Sequence, residues 1–288
     1  MTGRTCIMIR KISKGVIKMS SLSVSMCVYD GEKASFFYQA LESIYNQTLL
    51  PDEIILVIDG PIREELENVI DHFSNSDPAL TIFRTDKNMG HGIARKIGLE
   101  KCKCEYVAIV DSDDINVSDR FELQVRELDE NPYLSIVSSN VYHFSDSISE
   151  IDGIEKHPER DAEIKIMMKT RCPICNAAAC FRRKDVIAAG GYQDWYMAED
   201  YYLWVRMMKN DCNFYNIQKP LLYVRTNREQ ISRRGGYKYY RSLEKLFRYM
   251  LKNKMINIRE YCISTLSRFV LQVILPDKLR ASVRKKIL

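Results

Sequence analysis

Four short apolar runs narrow what this chain can fold into. LSVSMCV (22–28), EIILVID (53–59), LTIFR (80–84) and YVAIV (106–110) are each of strand length, and the segments between them repeat with helical period. After the first run, Ala34, Phe37, Ala40, Leu41 and Ile44 recur at three- and four-residue steps, which predicts a helix. Residues 64–73 and the glycine-led stretch NMGHGIARKIGLEK (88–101) predict two more. Strands that are apolar throughout suit a sheet covered on both faces. The expected class is α/β, with a mostly parallel sheet between helices and ligands collecting beyond the carboxyl ends of its strands.

Past residue 130 the pattern is mixed. LSIVSSNVYHF (134–144) and AAACFRR (177–183) predict strands, KDVIAAGGY a short helix stopped by Gly190 and Gly191, and EDYYLWVRMMKN (199–210) a longer helix. Two strands are expected near FYNI and LLYVR. In YKYYRSLEKLFRYMLKNK, Leu243, Leu246, Phe247, Met250 and Leu251 share one helical face with Lys and Arg opposite, and the apolar CISTLSRFVLQVIL precedes a basic end.

With 288 residues, 46% hydrophobic and 28% charged, the chain can bury one large core, or one core plus a smaller lobe. Three segments are expected: a basic lead-in over 1–21, with Met19 as an alternative start; a central domain over 22–235, divided at 130/131 where the pattern changes; and an amphipathic helical tail over 236–288. No stretch offers the roughly 18 consecutive apolar residues of a membrane span, and the lead-in lacks an export signal's apolar run. Nine cysteines, an odd number in a long chain, suit reduced thiols and a cytoplasmic location better than a disulfide framework. The net charge of +5 conceals an asymmetry, because residues 219–288 hold 18 Lys/Arg against 4 Asp/Glu and the remainder is acidic.

The fourth apolar run leads into Asp111, Asp113 and Asp114 in YVAIVDSDDINVSDR. Carboxylates this close repel one another unless a cation or hydrogen-bond donors offset the charge. Mg²⁺ or Mn²⁺ meets that need with one or two carboxylates, filling its other positions with water and substrate phosphates. Two other readings stay open on these residues alone: an ordinary turn with Asp119 capping a helix from Arg120, or a phosphatase using Asp111 and Asp113 as nucleophile and acid.

SLSVSMCVYDG, VIDG, NMGHGIARKIG, VDSDD and AEDYYLWVR occur in the order and rough spacing of family 2 glycosyltransferases, and residues 22–235 are identified as resembling that family. The resemblance implies the GT-A fold, a Rossmann-like sheet, and transfer from a UDP-sugar with inversion and a divalent metal, Mn²⁺ or Mg²⁺. Within that pattern Tyr29 would flank the uracil, Asp59 would contact the nucleoside and Arg95 would reach the nucleotide. Ile58, Pro61 and Lys96 depart from the residues usual at their positions. Asp111 would hold the ribose or a metal-bound water, and Asp113 would ligate the metal directly. Asp114 completes an Asp-x-Asp-Asp form seen in bacterial members that build O-antigen, capsule or exopolysaccharide of the amylovoran type. Asp200, with Glu199 as alternate, would be the base that deprotonates the acceptor hydroxyl.

Bidentate guanidiniums suit phosphate oxygens, so Arg233, with Arg225, Arg228 and Arg234, is expected to close over the donor diphosphate or meet an acceptor pyrophosphate. Relatives of this kind extend sugars on an undecaprenyl-diphosphate carrier, which implies a lipid-linked saccharide acceptor. The basic amphipathic tail suits either a helical pair packed on the catalytic domain or an anionic membrane surface, the latter implying a peripheral place on the inner face of the plasma membrane; no nucleic-acid module is found. The alternatives are the phosphatase and a non-catalytic UDP-sugar-binding protein at the membrane surface. Weaker signals are a CxxC at Cys172 and Cys175, with Cys102 and Cys104 as a distant second pair for zinc, and four histidines without ligand spacing, of which His91 could touch phosphate. Trp195 could stack on an acceptor sugar, whereas Trp204 fits a core position.

Overall fold

The structure is a computed structural model that describes residues 20–74, 79–145, 147–226 and 235–276. Most of the lead-in, Met19 included, lies outside the described residues. The first half follows the expected alternation: β1 (Leu22–Val28), α1 (Ala34–Tyr45), β2 (Glu53–Ile58), α2 (Glu64–Ser74), β3 (Leu80–Arg84), α3 (His91–Lys101) and β4 (Tyr106–Asp111). A short β5 (Ile115–Asn116) and α4 (Arg120–Glu130) complete it. The second half contains β6 (Leu134–Phe144), β7 (Ile151–Glu155), α5 (Asp161–Met168), β8 (Cys180–Arg182), α6 (Arg183–Ala188), α7 (Glu199–Lys209) and β9 (Asn213–Arg225). Two helices follow, α8 (Tyr237–Lys252) and α9 (Ile258–Phe269), the latter running into a π turn at Val270–Ile274.

All strands join one nine-stranded sheet in the order β3-β2-β1-β4-β8-β6-β9-β5, with β7 paired to β6. β3, β2, β1 and β4 run parallel. The chain steps outward from β1 to β3 and returns to β4 on the far side of β1, which creates a topological switch point where ligands collect. Beyond β4 the sheet is mixed: β8 is antiparallel to both β4 and β6, and β9 runs parallel to β6.

Three local differences from expectation have physical causes. α3 begins at His91, within the glycine run, and not at Asn88, because Gly90 at φ 89° stands outside helical space. The two strands expected near FYNI and LLYVR are one strand, since the register against β6 shifts between Ser139 and Asn140 and so accommodates Pro220 within β9. Of AAACFRR only Cys180–Arg182 is strand, preceded by a 3₁₀ turn at Asn176–Ala178.

Side chains alternate between two cores, one on each face of the sheet. Ile54, Leu56 and Ile58 pack with α1, α2 and α4, while Ile55 and Val57 pack with α3 and α7. Leu243, Leu246, Phe247 and Met250 of α8 belong to this second core, in company with Tyr201 and Trp204 of α7. Burying each such side chain is worth about 1.5–3 kcal/mol, so α8 is held on the sheet domain by its apolar face.

Candidate active site

The carboxyl ends of β1, β2 and β4 bring the expected nucleotide residues to one edge, with Val28 registered on Ile58 and Cys27 on Asp111. Tyr29 follows β1 directly, and its ring lies over Gly31, where an added Cβ would stand 2.3 Å from the ring Cε2. Asp59 follows β2 and is buried; its Oδ1 accepts from the Met89 N–H at 2.6 Å and its Oδ2 from the Gly90 N–H at 2.9 Å. The two bonds satisfy backbone donors of the loop that opens α3. Asp59 thereby sets where that helix starts.

Arg95, carried on α3 and buried, joins the two halves of the site. Its Nη2 donates to Asp111 Oδ1 at 2.9 Å and its Nη1 to Glu199 Oε1 at 2.7 Å. The approach depends on Gly92, because a Cβ there would lie 2.7 Å from the Gln193 carbonyl oxygen in the segment leading to α7. Burial disfavours the charged form of Asp111, but Arg95, then His91, hold its carboxyl below the usual range. Glu199 meets the same burial, offset by His91, whose Nδ1 stands 3.8 Å from its Oε1, and by the charge of Arg95, and falls to about 2. A carboxylate held so low is a poor proton acceptor. Asp200, the next residue, is half-buried; its Oδ1 accepts from the Tyr201 N–H at 2.6 Å, at the amino end of α7.

Asp113 and Asp114 extend the edge. Burial, then Asp111 and Glu32, push Asp113 up to about 7. Asp114 is raised well above its ordinary value by burial, then by Asp113 and Asp111, while its Oδ1 accepts from the Arg225 N–H at 2.9 Å. Arg225 also donates through Nε to the Asp113 carbonyl at 3.1 Å and through Nη2 to Gln39 Oε1 at 2.7 Å, with its guanidinium over the Phe36 ring. Crowded carboxylate oxygens of this kind fit a hard divalent cation, which would reverse the repulsion that raises Asp113. Among the described residues no three His, Cys, Asp or Glu groups form a closed metal cage. An ion at Asp111 and Asp113 would therefore draw its other ligands from substrate phosphates and water.

Glu32, Gln39 and Gly92 were not singled out by the sequence. Glu32 is buried and accepts from Ser112 Oγ at 2.7 Å, a contact across 80 positions of chain that no local pattern signals. Arg228, Arg233 and Arg234 lie outside the described residues. Asp119 occupies the residue before α4 but makes no side-chain cap bond; its carboxylate faces Lys219 instead. Cys102 and Cys104 neighbour Glu53 and Ser23 whereas Cys175 lies near Glu155 and Asp114, so the two pairs do not converge on a zinc site. The eight described cysteines are all free. Trp204 is fully buried between Phe181 and Tyr192, as its spacing suggests, and Trp195 stacks on Tyr202 with ring centroids 4.0 Å apart.

The switch-point sheet, with carboxylates on β4 and acids at the start of α7, has the GT-A fold of glycosyltransferases. Residues 23–190 match the family model described as "Glycosyl transferase family 2", and the chain belongs to that family. It is 35% identical over 268 residues, 92% of this chain and 96% of the other, to a UDP-Gal:alpha-D-GlcNAc-diphosphoundecaprenol beta-1,3-galactosyltransferase of Escherichia coli. It is 34% identical over 232 residues, 81% of this chain and 86% of the other, to the amylovoran biosynthesis glycosyltransferase AmsE of Erwinia amylovora. Among solved structures, residues 1–349 of S. aureus TarS in complex with UDP-GlcNAc align with TM-score 0.66 at 16% identity, covering 87% of this chain and 72% of that one. The mannosyltransferase PcManGT of Pyrobaculum calidifontis, in complex with GDP-Man and Mn2+, aligns with TM-score 0.58 at 15% identity, covering 93% and 80%. The phosphatase alternative gives way to this family membership. Its would-be nucleophile, Asp111, is held by Arg95.

Proposed function

We propose that this protein is an inverting, metal-dependent hexosyltransferase that moves a hexose or N-acetylhexosamine from a UDP-sugar to an undecaprenyl-diphosphate-linked saccharide in bacterial surface-polysaccharide assembly. The observation that carries the reading is Arg95, whose two terminal nitrogens tie Asp111 on the nucleotide side to Glu199 on the acceptor side. The 35% identical relative, named for transfer from UDP-Gal to a diphosphoundecaprenol-linked sugar, supports the same substrate classes.

In this reading Tyr29 flanks the base, and Asp59 and Arg95 serve the nucleotide by fixing the α3 loop and Asp111. Asp113, with Asp111, would hold Mn²⁺ or Mg²⁺, which when bound supplies charge to stabilise the departing diphosphate. Asp200 takes the proton from the acceptor hydroxyl on the face opposite the leaving group, so the anomeric centre inverts. Glu199, kept ionised by its partners, orients the start of α7 and leaves proton transfer to its neighbour.

Membrane association belongs to the same proposal. No helix among the described residues is long and apolar enough to cross a membrane. Yet Ile263, Leu266, Val270 and Ile274 recur at helical spacing along α9 and its π turn, exposed by 56%, 65%, 38% and 60%. An outward apolar stripe beside basic residues suits the interfacial layer of an anionic bilayer on the cytoplasmic face.

The test is UDP release from a panel of UDP-sugars, UDP-galactose first, with Mn²⁺ or EDTA and a synthetic lipid-diphosphate sugar acceptor. Release from one donor that requires metal and acceptor, and is lost in Asp113→Asn and Asp200→Asn, is the expected result. A folded wild-type protein that binds UDP and turns over no donor would instead favour a binding role.

A further inference from the structure

Between α8 and the segment that leads into α7 lies an open cleft of about 530 Å³. Trp195 and Tyr196 form one wall, and Lys238, Arg241, Lys245 and Arg248 the other. The four cations occupy steps of three and four residues, so they form one stripe on the exposed side of the helix. Their partners divide them in two. Arg241 and Arg248 lean on the buried Glu244, at 3.5 and 2.6 Å, and Tyr261 donates to the same carboxylate at 2.7 Å. Lys238 and Lys245 instead stand 4.0 Å over the rings of Tyr196 and Trp195, and among the described residues neither has a carboxylate within ion-pair reach. With Asp194 as the one other acid lining it among the described residues, these hold four cations against two carboxylates.

We infer that this cleft takes the diphosphate of the lipid-linked acceptor. The inference rests on the acceptor class proposed above, and it adds where that substrate is held. A diphosphate diester is ionised on both phosphates near neutrality, which matches the excess charge, and paired guanidinium and ammonium donors are the groups that bind phosphate oxygens best. The placement also fits. Trp195 Nε1 donates to the Ser242 carbonyl at 3.2 Å and Ser242 Oγ to the Tyr196 carbonyl at 2.6 Å, so α8 is pinned to the chain just before the proposed base. From Tyr196 to Asp200 the chain spans at most about 14 Å, a reach comparable with one sugar plus a diphosphate. An acceptor anchored here would present its sugar hydroxyl to Asp200 and leave its lipid directed outward. The lining of the cleft includes neither Asp111 nor Asp113, the residues assigned above to the donor's diphosphate.

The experiment is calorimetric binding of a short alkyl-diphospho-N-acetylglucosamine, its diphosphate-free alkyl glycoside, UDP, and phosphatidylglycerol/phosphatidylcholine vesicles to wild type, Lys238→Glu/Lys245→Glu and a control with the same charge change, Lys101→Glu/Lys103→Glu. The control residues adjoin the amino end of β4, the opposite end of the strand from the site. Losing two charge-assisted contacts should weaken the diphosphate ligand by about tenfold or more and leave UDP, the glycoside and the control unchanged. The neutral pair Lys238→Gln/Lys245→Gln should fall between, and it keeps the test open should charge reversal disturb folding. Undiminished binding in both variants, no binding by wild type, an equal loss for UDP, or a loss confined to the vesicles would overturn the inference. Because binding is read without turnover, absence of any transfer activity would count against the proposed reaction and not against the cleft.

Discussion

The floor of the site and the helix beside it carry opposite charges and hold them in opposite ways. Asp59, Asp111, Asp114, Glu199 and Arg95 are short or deeply placed side chains, each tied by hydrogen bonds of 2.6–2.9 Å. On α8 the cations are long, exposed and supported mainly by aromatic rings and one buried glutamate. The contrast teaches where fold and chemistry are inseparable. A change on the floor disturbs packing, electrostatics and reactivity at once, whereas a change on α8 leaves its apolar face in the core and alters only what the surface can bind.

The largest effects are expected where chemistry alone is removed from the floor. Asp200→Asn should lower kcat by about 100- to 10,000-fold, the usual worth of a general base, with acceptor KM little changed. Asp113→Asn should reduce activity at least as much and abolish the response to added Mn²⁺. Both keep side-chain volume, so thermal unfolding should stay near wild type. Steady-state UDP release alongside a melting curve checks both parts, and full activity in Asp200→Asn would move the base elsewhere.

Next come changes that strike fold and function together. Arg95→Met leaves Asp111 and Glu199 buried without their shared cation, and breaking such a pair typically costs about 3–5 kcal/mol. Urea denaturation should show a clear fall in midpoint together with lost activity. Glu199 adds a pH dependence of known sign. Its folded pKa of about 2 lies below the ordinary glutamate value near 4.5, so its contribution is present above about pH 4.5 and lost as pH falls toward 2. The shift corresponds to about 3 kcal/mol as an upper figure. Glu199→Gln should therefore flatten the acid limb of the stability profile and change little when both proteins are already at low pH. An unchanged acid limb would show that Glu199 is not held as its contacts indicate.

Gly92→Ala is expected to have an effect of intermediate size. The new Cβ would meet a backbone carbonyl rather than a yielding side-chain tip, so α3 must withdraw from the Gln193 segment and carry Arg95 with it. Loss of about 1–3 kcal/mol, typical of overpacking, with a matching fall in kcat, is the expected result. Gly31→Ala should be milder, because the Tyr29 ring can swing away; the expected effect is a raised KM for the UDP-sugar with stability retained.

Much of the floor was legible in the sequence because its elements are local. Buried strands and amphipathic helices announce themselves by period, and Tyr29, Asp59 and Asp111 sit where strands stop. The pairings were not legible, since Arg95 and Glu199 stand 104 positions apart and meet only through a helix start and a glycine contact. The mixed half of the sheet was harder for a different reason. β8 has three residues and β5 two, too short to show alternation, and β7 is almost wholly exposed. The continuity of β9 through Pro220 depends on a register shift in its neighbour, which is a property of the pair and not of either segment. On α8 the five apolar positions expected on one face include four that are buried, with Leu251 at the margin. What the pattern did not reveal is that the basic face opposite meets Trp195 and Tyr196 across a cleft.

The smallest effect on stability is expected on α9, which follows α8 and lies outside the floor. Ile263 and Leu266 are more than half exposed, so replacing both with Asp removes little buried area, and surface changes of this kind usually fall within about 0.5 kcal/mol. The same charges placed on the outward stripe would have to leave water at an anionic interface that already repels them. Co-sedimentation with phosphatidylglycerol-containing vesicles should therefore drop sharply while unfolding and transfer to a short soluble acceptor stay as in wild type. Retained vesicle binding would place the membrane contact on the basic stripe of α8 alone. In that event Lys238→Glu/Lys245→Glu, not the α9 double change, would release the protein from the bilayer.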